Sequence, residues 1–178
     1  MKAAGLLVSA VSLCLVTGAA QEKSPSEYEV KAAYLLNFAK FAEWPADAFA
    51  GEAAPIIVGI LGHDPFGELL DRTLANQKIG KRGLEIRRGA RLQDLGTCHL
   101  LFVSESETER VEQAIAGART QGVLTVSEFA SFASLGGAIG FYVEEKRVRF
   151  EVNLRAAEKN GIRLSSKLLK LARIVKDR

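Results

Sequence analysis

The chain has 178 residues, of which 48% are hydrophobic and 25% are charged, and its formal net charge at pH 7 is only +3. This balance excludes the strongly basic surface of a nucleic-acid-binding protein. The length is that of one domain with its own hydrophobic core, stabilised by packing.

The first twenty residues have the pattern of a Sec-type secretory signal peptide. Lys2 supplies the positive start, residues 6–16 form an apolar stretch, and residues 17–20 are the small residues of a cleavage site. The apolar stretch is too short to anchor the protein in a membrane. We therefore predict cleavage near Ala20, one mature domain over residues 21–178, and export without membrane insertion.

Only one of the two cysteines remains after this cleavage. Cys14 lies in the predicted leader, and the large side chain of Leu13 before it argues against lipidation. Cys98 is then the only mature cysteine, so an intramolecular disulfide is excluded. Because Cys98 lies beside a predicted buried strand, we expect a free and poorly reactive thiol.

An amphipathic helix is the first predicted element after the leader. Ser26 and Glu29 form a capping box, apolar residues then recur at helical spacing as far as Phe41, and the Trp44–Pro45 pair ends the helix. After a loop, the continuous apolar run Ile56–Leu61 predicts a buried parallel strand.

The rest of the chain alternates between strand and helix patterns. Asp64 before a proline predicts the start of a helix that runs to Asn76. Because strands alternate with helices, we predict an α/β fold with a mostly parallel sheet covered by helices on both faces and a C-terminal antiparallel hairpin. The remaining predicted elements are strands over 84–88, 99–103 and 123–126, helices over 107–121 and 128–134, a hairpin of strands 138–143 and 148–154, and a closing helix over 165–176.

The strand over residues 147–154 alternates strictly between polar and apolar side chains. Successive side chains of a strand point to opposite faces, so one face joins the core and the other is polar. Two interpretations remain open: an edge strand with a solvated face, or a face that contacts a ligand or another protein. The polar face comprises Arg147, Arg149, Glu151 and Asn153.

Catalytic patterns are mostly missing from the sequence. The two histidines are His63 and His99, and neighbours such as Cys98 and His99 point to opposite faces of a strand, which argues against a shared metal ion. The glycines around His63 lack the spacing of a dinucleotide fingerprint, and no serine lies in a Gly-x-Ser-x-Gly elbow. His63 and Asp64 could hold an anion at a helix start, although a simple turn is the preferred interpretation. We predict no enzyme activity, no metal and no cofactor.

Several motifs in the same order resemble the YfiR family. They are residues 30–45 (VKAAYLLNFAKFAEWP), 59–67 (GILGHDPFG), 98–104 (CHLLFVS), 123–126 (VLTV), 149–153 (RFEVN) and 161–172 (GIRLSSKLLKLA). The resemblance implies a periplasmic regulator that binds and represses an inner-membrane diguanylate cyclase, lowering cyclic-di-GMP output and biofilm formation. Other members of the family accompany sensor kinases, and a homodimer is implied as well.

The resemblance also implies a small-ligand site. It matches Glu43 and Trp44, together with Arg163, Ser165 and Ser166 after the last glycine. Where this chain has Glu43 and Ser165, the family's repressor has a basic residue and a histidine. A carboxylate there would repel a phosphate, which disfavours a nucleotide even though Arg163 remains.

The family's partner-binding positions match the polar strand and the segment after it. Glu151 and Ala157 correspond to positions linked to repression, and Arg149 and Asn153 lie on the same polar strand face as Glu151. We expect the hairpin face around Glu151 and the segment from Asn153 to Arg163 to supply the docking surface. Cys98 matches a family cysteine whose disulfide partner is missing here, so redox control through an internal bridge is not transferable.

Two functions therefore remain open. The first is repression of the membrane cyclase through the surface around Glu151. The second is a periplasmic module that binds a nucleotide or an amino-acid-like ligand around Arg163 and feeds a sensor kinase. Charge reversal at Glu151 discriminates between them, because it should abolish partner control and spare ligand binding.

Overall fold

The computed structural model describes residues 25–119 and 122–176. The predicted leader and its cleavage site lie outside these residues. No helix in the described ranges is long and apolar enough to cross a membrane.

An eight-stranded mixed sheet forms the centre of the protein, in the order β10-β8-β7-β6-β5-β2-β4-β3. The five strands β4-β2-β5-β6-β7 are parallel, β8 runs antiparallel to β7, β10 runs parallel to β8, and β3 runs antiparallel to β4. The mostly parallel central sheet agrees with the predicted α/β class. The strands are β1 Ala42–Glu43, β2 Ile56–Leu61, β3 Lys78–Ile79, β4 Arg82–Gly89, β5 Leu100–Val103, β6 Leu124–Ser127, β7 Ile139–Glu144, β8 Arg147–Asn153, β9 Arg163–Leu164 and β10 Arg173–Val175.

Helices cover both faces of the sheet. The first core layer packs under α1, α2, α5 and α6, and the second under α3 and α4. The sequence of β2 is continuously apolar because both faces of the strand are buried. Ile56 and Val58 contribute to the first layer, while Ile57 and Leu61 contribute to the second. The helices are α1 Glu27–Phe41, α2 Glu68–Leu74, α3 Leu92–Leu95, α4 Val111–Arg119, α5 Leu154–Lys159 and α6 Ser166–Leu169, with 3-10 turns over Ala46–Ala48 and Glu105–Arg110.

The predicted start of α1 is confirmed. The Oγ of Ser26 accepts a hydrogen bond from the backbone N–H of Glu29 at 3.3 Å, and the Glu29 carboxylate accepts one from the backbone N–H of Ser26, which completes the capping box. The helix ends at Phe41, and the chain continues directly into β1.

Two of the predicted helices begin at later residues than the sequence indicated. α2 starts at Glu68, because the Asp64 carboxylate accepts a hydrogen bond from the backbone N–H of Phe66 at 2.8 Å and closes a turn before the helix. The helix predicted over 107–121 begins as a 3-10 turn, and its regular part α4 starts at Val111. Its last two predicted residues lie outside the described ranges.

The helix predicted over 128–134 is wrong, since this segment forms successive turns. Ser131 has a φ of +67°, which a continuous helix does not allow. The Ser127 hydroxyl accepts a hydrogen bond from the backbone N–H of Phe129 at 3.0 Å, which bends the chain at its start. The buried ring of Phe132 then packs so closely on Gly137 that a Cβ there would lie 2.1 Å from it.

The closing helix predicted over 165–176 is also wrong. α6 covers only its first turn, and residues 173–175 form β10 beside β8. Ile174 and Val175 are β-branched and favour a strand. The predicted antiparallel hairpin is present as β7 and β8, but β10 follows it and forms the end of the sheet.

Candidate functional site

The fold brings the predicted ligand residues from both ends of the domain onto one short strand pair. β1 and β9 pair antiparallel, with Glu43 opposite Arg163. A carboxylate oxygen of Glu43 lies 3.3 Å from the Arg163 guanidinium, and both side chains are exposed. The guanidinium that could bind a phosphate therefore already has an anionic partner on the protein.

The remaining residues of this predicted site differ in their accessibility. Ser165 precedes α6, and its Oγ is buried with no hydrogen-bond partner within the described ranges. Ser166 is exposed as the first residue of α6. Trp44 is half-buried, and its indole N–H donates to the backbone carbonyl of His99 at 3.2 Å. The two serines follow Arg163 closely in sequence, while Trp44 donates to an internal partner.

His99 connects this region to the sheet. From the sequence alone, this residue is considered only as a possible metal ligand. Its Nδ1 accepts the backbone N–H of Ile57 at 2.9 Å, and its Nε2 lies 3.1 Å from the carbonyl of Ala48. The neutral tautomer with hydrogen on Nε2 satisfies both contacts. The Phe49 ring stacks on the imidazole at 4.3 Å, and the Trp44 ring meets its edge at 6.1 Å.

Cys98 points away from this cluster into the other core layer. It is a free, buried cysteine, and burial raises the pKa of its thiol to about 11. The thiolate that would react with an oxidant or an alkylating agent is therefore scarce at neutral pH.

The predicted polar face of β8 is not an open surface. β10 lies alongside β8, with Arg173 opposite Glu151 and Val175 opposite Asn153. The expectation of a solvated edge strand is therefore wrong for this end of β8, because β10 pairs with its backbone edge and the side chains of Glu151 and Asn153 are buried. Arg149, nearer the hairpin turn, is exposed, and its Nε lies 3.7 Å from a carboxylate oxygen of Glu144.

Glu151 and Arg173 form the contact that joins β10 to the sheet. The Glu151 carboxylate is largely buried and accepts a hydrogen bond from the Arg173 guanidinium at 2.7 Å. This guanidinium also lies over the ring of Tyr142, 4.0 Å from its centre. The sequence offered one signal for this partner, since a strand carboxylate that enters the core needs a cation.

Asn153 and Ala157 are buried behind the predicted docking surface. The Oδ1 of Asn153 accepts the backbone N–H of Ala156 at 3.0 Å and caps α5, and its Nδ2 donates to the carbonyl of Ala133 at 2.8 Å. Ala157 packs into the core from α5. Both residues therefore support the predicted docking surface from the core and are not part of its exposed area.

A groove of about 520 Å³ lies on the outer side of these residues, between α5 and β10. Ile174 in its lining is a large apolar side chain exposed to solvent. Because β10 ends the strand order, no strand lies on its outer backbone edge within residues 25–119 and 122–176. The groove is lined by Asn153, Leu154, Arg155, Glu158, Ile174, Val175 and Lys176.

Comparisons with known proteins agree with the predicted resemblance. A family model described as YfiR/HmsC-like matches residues 28–173. The chain is also similar in structure to a conserved domain protein from Vibrio cholerae O1 biovar eltor, with a TM-score of 0.57 and 13% sequence identity. That alignment covers 86% of this chain and 60% of the Vibrio chain, and at this identity it shows a shared fold only.

Proposed function

The chain belongs to the YfiR/HmsC-like family, and from this membership we propose that it is a periplasmic regulatory protein that represses an inner-membrane diguanylate cyclase. The family is consistent with regulation of diguanylate cyclase signalling by a domain that binds rather than catalyses. The signal peptide predicted at the start of the chain supports export to the periplasm.

The observation that carries this proposal is the groove between α5 and β10. Leu154, Ile174 and Val175 contribute apolar side chains to its lining, Ile174 is exposed, and surfaces of this kind mark protein contacts. Arg155 and Lys176 place cations on its lining, against the single carboxylate of Glu158. We infer that the partner's periplasmic domain contributes an apolar segment with acidic neighbours.

The Glu151–Arg173 pair explains how a buried residue controls this surface. It adds a side-chain contact to the backbone pairing of β10 with β8, and β10 forms one wall of the groove. A lysine at position 151 would face Arg173 with a like charge, so β10 would separate from β8. Glu151 thus acts on docking through β10, while Asn153 and Ala157 hold α5 on the opposite wall.

Cyclic-di-GMP measured in a deletion strain tests the proposal. The wild-type gene should lower the elevated level, whereas Glu151→Lys and Ile174→Asp should not. Val143→Asp is the matched control, since Val143 is 56% exposed against 48% for Ile174 and lies outside the groove. Unchanged cyclic-di-GMP on deletion, or equal loss of repression in Val143→Asp, would contradict the proposal.

A second function is favoured by one observation near the other predicted site. Among residues 25–119 and 122–176 the buried Oγ of Ser165 has no hydrogen-bond partner, and it lies close in sequence to Arg163. A small amino-acid-like ligand could satisfy the hydroxyl and use both charges of the Glu43–Arg163 pair, with occupancy signalled to a sensor kinase. A nucleotide is the weaker candidate because Glu43 repels phosphate.

Thermal stabilisation of the purified protein tests this second function. A free amino acid should raise the melting temperature of the wild type and not of Arg163→Gln, and a nucleoside monophosphate serves as the comparison.

A homodimer would present the α5–β10 groove twice, and sedimentation equilibrium measures whether one forms.

A further inference from the structure

We propose that His99 is a pH-sensitive latch that holds residues 44–54 as a cover on the amino-terminal edge of the parallel sheet. With a neutral imidazole the cover is closed, and protonation of the imidazole releases it. This inference is independent of the proposed repression.

The latch is built from contacts on both sides of the imidazole. On the sheet side, Nδ1 accepts the backbone N–H of Ile57. On the cover side, Nε2 donates to Ala48, and the Phe49 ring lies nearly parallel to the imidazole, at an interplanar angle of 14°. The cover also reaches the sheet through Trp44, whose indole donates to the carbonyl of His99.

Protonation conflicts with this arrangement at one atom. A hydrogen on Nδ1 would face the N–H of Ile57, so two donors would oppose each other at a buried position. The ring would have to rotate, and rotation breaks the contact with Ala48 and the stacking on Phe49. The cover residues would then lose the contacts of Ala48 and Phe49 with the imidazole.

The charged groups around His99 oppose its protonation. Arg82 lies over the far face of Phe49 at 3.6 Å and donates to the carbonyls of Gly51 and Ala54. Arg87, also on β4, is the second cation that lowers the pKa of His99, whereas the hydrogen bond to the Ala48 carbonyl raises it. Asp47, next to Ala48 in the cover, is exposed.

The pH dependence follows from the direction of the pKa shift. Burial lowers the pKa of His99 below its ordinary value, with contributions from Arg82 and Arg87. The unfolded or open chain therefore binds a proton more readily than the closed form. The contribution of the latch is complete above about pH 6.5, the ordinary histidine pKa, and is lost as the pH falls through the lower folded pKa.

The sequence supplies the reporters for a direct test. Trp44 is the only tryptophan, and the only other histidine, His63, is exposed. Fluorescence of the purified protein is measured from pH 8 to pH 4, with far-UV circular dichroism as the monitor of global folding. We expect a reversible change in Trp44 emission below pH 6.5 while the circular dichroism is unchanged. His63→Gln should retain this change, and His99→Gln should lack it.

A second measurement covers the case in which His99→Gln does not fold. In the wild-type protein, the ring proton of the buried histidine is followed by NMR over the same pH range, together with hydrogen exchange of residues 44–54. Titration of His99 in step with Trp44 emission and with loss of protection in the cover supports the latch. A flat emission until global unfolding, titration at a different pH, or loss of the change in His63→Gln overturns it.

Discussion

Two glutamate–arginine pairs in this protein join distant segments, yet their surroundings differ. The side chains of Glu43 and Arg163 are 63% and 82% exposed and lie 3.3 Å apart. Those of Glu151 and Arg173 are 12% and 53% exposed and lie 2.7 Å apart. The first pair joins the two-residue strands β1 and β9, and the second joins β10 to the central sheet.

The difference indicates what each pair does. An exposed pair gains little because water solvates and screens both charges, and such pairs contribute about 0–1 kcal/mol. A buried carboxylate has lost that solvation, so removing its cation or the carboxylate itself is costly. We therefore infer that the Glu151–Arg173 pair stabilises the fold, whereas the charges of the Glu43–Arg163 pair are accessible to a ligand.

The largest expected effect comes from Asn153, behind the buried pair. Asn153→Ala removes the cap of α5 and the hydrogen bond to Ala133, and it should lower the free energy of unfolding by about 2–4 kcal/mol, measured by urea denaturation. Asn153→Ser keeps a capping oxygen and loses the hydrogen bond to Ala133, so its loss should be smaller. Equal losses in both variants would show that the cap contributes nothing.

Glu151→Gln is expected to have the next largest effect. The glutamine keeps the size of the side chain and removes its charge, which leaves Arg173 to water and to Tyr142. We expect a loss of about 1–3 kcal/mol in the free energy of unfolding, less than for a fully buried pair because Arg173 is half-exposed. In a double-mutant cycle with Arg173→Gln, the two losses should not add. Additive losses would show that the pair does not couple β10 to β8.

The sequence correctly predicted the secondary-structure elements that depend on interactions between residues close together in the chain. The apolar run of β2 and the capping box of α1 each lie within a few residues, and both agree with the structure. The ends of the chain required knowledge of distant partners. Arg173 is 22 residues from Glu151, so the pattern of residues 165–176 favoured a helix while pairing with β8 selected a strand.

The candidate sites show the same division. Sequence resemblance assigned Glu43 and Arg163 to one site, and the register of β1 and β9 places these two residues opposite each other. It did not reveal that Glu151 is covered, nor that His99 contacts Ile57 and Ala48, which are 42 and 51 residues away. Burial is a property of the assembled sheet, and alternation along one strand does not determine which face remains open.

The rate at which Cys98 is alkylated reports whether the thiol becomes accessible by global unfolding or by local opening of its part of the sheet. Its thiol is buried and its pKa is raised to about 11, so a maleimide should react slowly with the native protein and rapidly with the unfolded chain. If labelling requires global unfolding, Glu151→Gln should accelerate it about tenfold for each 1.4 kcal/mol of lost stability, and Glu43→Gln should not. Fast labelling of the native wild type would show that this edge of the sheet opens independently of β10.

The smallest expected effect belongs to Glu43→Gln. Because both charges of its pair are in water, the free energy of unfolding should change by less than about 0.5 kcal/mol, and raising the salt concentration should reduce even that difference. The substitution nevertheless leaves Arg163 without its anionic partner, so a nucleoside monophosphate should stabilise Glu43→Gln more than the wild type. Arg163→Gln is the control, with the same small loss and no response to phosphate. A loss near that of Glu151→Gln would mean that β1 and β9 depend on this pair, and the contrast between the two pairs would no longer hold.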